Sequence, residues 1–128
     1  MKLEMGKVRE FARAVHSTHP SHCSEQPVIP ATFLATEAHW DGQGSGVFPE
    51  PDRLLHGGYE VTFPEGPPHT GDAWLTITSG VDKTYVKQGR RAGQMTFVEL
   101  VSDYTDEAGR AVAKVRQTVI VTVSAEGA

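Results

Sequence analysis

The stretch HSTHPSHCSEQPVIPATFLAT, residues 16–36, gathers His16, His19, His22 and the only cysteine of the chain, Cys23. Imidazole and thiol groups this close in sequence can hold a metal, move protons or attack an acyl carbon. Zinc is the most specific of these options. The spacing H-x2-H-x2-H-C, however, matches no finger or zincin pattern, and Pro20 is expected to disrupt any helix that would aim the rings at one ion. No metal is expected here. For Cys23, no Asp or Asn that could orient a histidine base is evident, so a small packed residue is expected rather than a nucleophile. His22 remains a candidate for acid/base work, set against three polar loop histidines near a subunit interface.

Two further groups bear on chemistry. Arg90 and Arg91 fall in KQGRRAGQ, which reads as a hairpin turn, and a guanidinium pair there suits phosphate contact or the acidic surface of a carrier protein. His69–Asp72, HTGD, is most simply a turn, with Gly71 and Asp72 as turn formers.

The elements that must position these residues are legible from periodicity. Met5, Val8, Phe11, Ala12 and Val15 recur at three- and four-residue spacing, which predicts an amphipathic helix over Glu4–Val15. Pro20 stops it by about Ser17. Pro, Gly and Ser dominate 20–51, leaving room for one short helix around Thr32–Trp40 before Gly42, Gly44 and Gly46 break the chain. Beyond Leu54 the period becomes two. Tyr59, Val61 and Phe63 share one face of a strand; Leu75, Ile77 and Val81 mark a second. GQMTFVELVSDYTD is apolar on both faces at its centre, as in a strand covered on both sides, and RAVAKVRQTVIVTV alternates again. KQGRRAGQ and TDEAGR supply turns in which Gly takes positive φ. Helix followed by an antiparallel meander predicts an α+β fold.

Composition narrows the function. At 128 residues with a net charge of −4, the chain is expected to be one domain (1–128, core 7–123), with no electrostatic reason to bind nucleic acid or an anionic membrane. No apolar run approaches the roughly 18 residues needed to span a bilayer. MKLEMGKVREF lacks the apolar centre of a secretory signal, and one cysteine excludes an internal disulfide, so a cytoplasmic location is expected.

Taken in order, VREFARAV, PATF, LHGGYEVTFPEGPPHTGD and the paired strands joined by YTDEAGRAV resemble the MaoC-like dehydratase/hydratase group of hot-dog proteins, in particular its N-terminal, FAS1-like dehydratase half. The likeness covers roughly Lys7 to Val123. It implies a single hot-dog domain: an N-terminal helix and a short central helix packed on a curved antiparallel sheet. It also implies pairing with a second hot-dog module and reversible hydration of trans-2-enoyl thioesters of CoA or acyl carrier protein, with no further cofactor. The family's catalytic motif, Gly-Asp-x-Asn-Pro-x-His, falls on residues 16–22. Pro20 and His22 match; Ser17 stands at the Asp position and His19 at the Asn position.

That departure has a chemical consequence. Hydration needs one group to take a proton from water and another to deliver one to the α-carbon, and an unactivated serine hydroxyl is far too weak a base. Each positioned acid or base contributes about 10²- to 10⁴-fold. The resemblance therefore implies a substrate-accommodating, catalytically impaired subunit of a heteromeric hydratase or 3-hydroxyacyl dehydratase. The Asp/His dyad and the oxyanion hole would lie on a partner hot-dog chain. HWDGQGSG fits a shortened central helix that leaves space for a bulky acyl tail, and His39, Trp40 and His56 are candidates to line its tunnel. Two alternatives stay open: a self-sufficient homodimeric hydratase or thioesterase using His22 with Glu25 or Asp41, and an acyl-thioester binding module without chemistry. In each case the free sheet edge predicts dimerisation.

Overall fold

Helical spacing near the N-terminus becomes a ten-residue helix, α1 (Met5–Ala14), in a computed structural model that describes residues 1–36, 54–71, 74–91 and 93–122. Its middle is the buried part. Val8 and Ala12 are shielded from solvent, and Phe11 meets Phe33 edge-on, with ring centroids 5.6 Å apart and planes at 87°. Met5 and Val15, expected on the same face, occupy its two ends and stay exposed.

Pro20 does not abolish helix after α1. It sits at the first position of a one-turn helix, α2 (Pro20–Cys23), where its missing N–H costs nothing and its fixed φ suits the turn. The short central helix expected over Thr32–Trp40 is a 3-10 turn at Phe33–Thr36, closed by Thr36 Oγ1 donating to Phe33 O at 2.7 Å. Residues 37–40 of that expectation, and the glycine-rich HWDGQGSG, lie outside the described residues.

Four antiparallel strands follow: β1 (Leu54–Thr62), β2 (Thr76–Gln88), β3 (Gln94–Thr105) and β4 (Ala111–Thr122), in the order β1-β4-β3-β2. The last three form the expected meander, and β1 closes against the far side of β4. Glycine makes the turns: Gly93 at φ 67° between β2 and β3, Gly109 at φ 80° between β3 and β4. Gly57 and Gly58, adjacent in β1, differ in how closely they are packed. A Cβ on Gly57, where β1 shifts register, would sit 3.0 Å from Ile120 Cδ1, whereas the nearest atom to one on Gly58 would be 3.8 Å away.

One face of the sheet carries the core. Val8, Ile29 and Phe33 are fully buried and cluster with Leu3, Leu34, Leu75, Tyr104, Ala113 and Val115, with Tyr59, Val61 and Ile77 packed alongside. Each large side chain buried this way contributes about 1.5–3 kcal/mol. β3 departs from the expectation of burial on both sides: Leu100 and Tyr104 are buried on the core face, while Phe97 and Glu99 on the other are only half-buried. Val81, expected beside Leu75 and Ile77, adjoins the register shift of β2 and is exposed. Helices on one face of an antiparallel sheet give the α+β arrangement.

Candidate functional site

Two local structures bring Ser17 and His22 together. The first is the end of α1, where Ser17 N–H donates to Ala12 O at 2.8 Å and His16 N–H to Arg13 O at 3.1 Å. This closing pair needs a left-handed residue between helix and loop, usually glycine, and His16 takes that role at φ 57°. The second is α2, capped at its N-terminus by the His19 ring, whose Nδ1 accepts from Ser21 N–H at 3.2 Å. α2 is itself anchored: Val28 N–H donates to Ser21 O, and Ile29 N–H and Thr70 N–H tie the following segment to Pro68 O and Pro27 O. His69 serves that tie, bridging Val28 and binding Gln26 O through Nδ1; Asp72 of the same HTGD lies outside the described residues.

The result is a hydrogen bond of 2.7 Å between Ser17 Oγ and His22 Nδ1. Both line a pocket of about 290 Å³ together with Arg9, Ala12, Arg13 and Cys23. Arg9 reaches across it from α1, donating through Nη2 to Ser24 O at 3.2 Å beyond α2. Chemically, the pocket offers one imidazole, one hydroxyl, one thiol and two guanidiniums. No carboxylate lines it among the described residues.

The other candidates are not brought to this place. His19 and His22 approach to 5.6 Å between ring centroids, tilted by 48°, but no group of three or more potential ligands forms a metal site among the described residues. Cys23 is exposed rather than packed. Glu25, the carboxylate named as a helper for His22, is exposed and does not line the pocket. His39, Trp40 and Asp41 lie outside the described residues. His56 is exposed on β1, its ring 6.3 Å from that of Tyr59. Arg90 and Arg91 stand exposed between β2 and β3, with Gly89 N–H closing the turn onto Gly93 O at 2.7 Å. Neither arginine lines the pocket that Ser17 and His22 share.

Arg9 and Arg13 were not singled out by periodicity, which marks only the apolar face of α1. Their signal was present: residues 9, 12 and 13 share one helical face, which runs directly into Ser17.

Among the described residues, ionisation is displaced in the Asp82–Arg116 pair and at Asp106 in the β3–β4 turn. The hydrogen bond from Arg116 holds the Asp82 carboxyl below the usual aspartate range, and raises the Arg116 guanidinium in return. Asp106 is lowered chiefly by the backbone N–H of Arg110, then by its side chain.

Against known proteins, the sequence matches the family model for the FAS1-like dehydratase domain region over residues 1–115. No curated protein matches. Among solved structures, the chain is similar to the C-terminally truncated HadBC (3R-hydroxyacyl-ACP dehydratase) complex from Mycobacterium tuberculosis. The TM-score is 0.70 at 23% identity, over 94% of this chain and 88% of that one. A MaoC-like dehydratase superposes with a TM-score of 0.73 at 28% identity, over 98% of this chain but 40% of that one. The ChsH1–ChsH2 complex from Mycobacterium tuberculosis matches at 0.69 and 12% identity, over 99% and 86%. The fold is that of the hot-dog dehydratases.

Proposed function

The chain belongs to the FAS1-like dehydratase family, and from that premise we propose that it is the substrate-accommodating, catalytically impaired subunit of a heteromeric enoyl-thioester hydratase or 3-hydroxyacyl dehydratase. One observation carries the reading: a serine hydroxyl lies 2.7 Å from His22 where the family motif has its acid, in a pocket that no described carboxylate lines.

The chemistry explains why this matters. Water adds across the 2,3 double bond of the acyl chain. The hydroxyl goes to the β-carbon and a proton to the α-carbon, beside a thioester whose carbonyl oxygen gains negative charge. A base must take the proton of the attacking water, an acid must deliver one to carbon, and N–H donors must stabilise the oxygen. Ser17 cannot serve as the base. Its hydrogen bond also occupies one of the two ring nitrogens of His22, leaving Nε2 as the only one open. The acid, the base and the oxyanion donors are therefore assigned to a second hot-dog chain, and this chain shapes the cavity for the acyl tail. Two of the similar structures, HadBC and ChsH1–ChsH2, are complexes of two differently named chains, which supports a heteromeric assembly.

The test is the native complex isolated from its own cells. The expected result is a second hot-dog chain with an intact Asp and His motif, and crotonyl-CoA hydration that is lost when the partner's Asp is changed to Asn. A homodimer of this chain that is active by itself would favour the self-sufficient reading instead. Binding of acyl-CoA without turnover in every assembly would leave only a binding module.

A further inference from the structure

The Ser17–His22 pocket has a charge balance unlike that of the chain around it. The whole sequence carries a net charge of −4, yet this cavity is lined by two guanidiniums, an imidazole, a hydroxyl and a thiol, with no described acid. Five cations elsewhere find carboxylates: Lys7 with Glu4, Lys83 with Glu99, Arg110 with Asp106, Lys114 with Asp103 and Arg116 with Asp82. Arg9 spends one donor on Ser24 O, a contact that holds its fork across the cavity. The Arg13 guanidinium has no hydrogen bond or ion pair among the described residues, and it lines the same wall one turn further along α1. The closing bonds of α1 already occupy the carbonyl oxygens of Phe11, Ala12 and Arg13, which would otherwise present negative partial charge to a bound anion.

From this arrangement the geometry points to a binding site for a phosphate-type oxyanion between α1 and α2. Arg13 and Arg9 are its cationic walls, and the Nε2 of His22 is a further donor when protonated. Guanidinium forks match the oxygens of phosphate in pairs, and the bonds they make are charge-assisted. The same residue that removes the catalytic base opens the site. An acid at position 17 would pair with the arginines, whereas the hydroxyl of Ser17 leaves their charge for a ligand. This inference concerns binding by the chain itself and does not depend on whether a partner hydrates enoyl thioesters. The phosphate can arrive free or on a nucleotide handle such as CoA, and the experiment separates the two.

Inorganic phosphate is titrated into the purified chain while the His22 ring and the arginine Nε–H groups are followed by NMR, at low and at moderate salt. The expected result is saturable binding that weakens with salt, falls by about tenfold or more in Arg13→Gln and in Arg9→Gln, and falls likewise in Ser17→Asp. Ser17→Ala, which adds no charge, should keep phosphate affinity within about threefold, the scale of losing one weak neutral contact. Unchanged amide spectra in the variants show that the fold persists. CoA displacing phosphate, with pantetheine failing to do so, identifies a nucleotide handle as the source; failure of both identifies free phosphate. Absence of saturation up to about 20 mM, weaker than the millimolar range, or equal affinity in wild type, Arg13→Gln and Ser17→Asp, would overturn the assignment.

Discussion

Ser17 and His16 are adjacent residues with different consequences. At Ser17, the exchange of an acid for a hydroxyl was legible in the motif alignment, but its contact with His22 was not, because it depends on how α1 ends. At His16, the structure explains why the family motif opens with glycine: the helix terminus needs positive φ, and His16 supplies it at 57°. A left-handed conformation costs a side-chain-bearing residue about 1–2 kcal/mol, partly offset by the greater chain entropy that glycine loses on folding. His16→Gly is therefore expected to stabilise the chain by about 0.5–1 kcal/mol, read as a higher urea midpoint with unchanged slope. A lower midpoint would show that the His16 side chain contributes a contact worth more than the strain.

At the scale of elements, periodicity located α1 and the four strands, because a buried face leaves a 3.6- or two-residue signature. It did not reveal α2, whose single turn is too short to have a period and is set by Pro20 and the His19 cap. Nor could it say that β1 lies against β4, since strand order depends on contacts remote in sequence. Phe33 is the pivot between helix and sheet, fully buried and edge-on to Phe11. Phe33→Ala is expected to cost about 3–5 kcal/mol, enough to unfold the chain or lower its melting temperature severely. The β3–β4 turn carries a pH dependence. Ala108 N–H and Arg110 N–H both donate to Asp106 Oδ1 at 2.9 Å, and Arg110 Nε to Oδ2 at 3.0 Å, which holds the carboxyl below its usual range. A depressed acid stabilises the folded state above its unfolded value of about 3.9 and loses that contribution as pH falls through the lower folded value. Carboxyl NMR should place the Asp106 midpoint below about 3.9, with faster amide exchange at Ala108 and Arg110 once it is crossed. A midpoint at or above that value would contradict the turn geometry.

At the scale of the molecule, β2 is the edge of the sheet on one side, and Val81 and Val86 on it are 51% and 54% exposed. A thirteen-residue edge that is unpaired among the described residues and carries apolar side chains invites a partner strand. Sedimentation of the isolated chain is expected to show self-association at tens of micromolar, and a strictly monomeric, soluble chain at those concentrations would argue against the edge as an interface. The hot-dog arrangement was legible in the order of several loose motifs, while the pocket's charge balance was not, because Arg9 and Arg13 meet Ser17 and His22 only after α1 and α2 fold together. The central claim remains the absent acid, and crotonyl-CoA hydration by the purified, partner-free chain tests it most directly. The expected rate is at least about 10²- to 10⁴-fold below that of a hot-dog hydratase with both groups in place. Turnover within about tenfold of such an enzyme, abolished by His22→Ala, would contradict it.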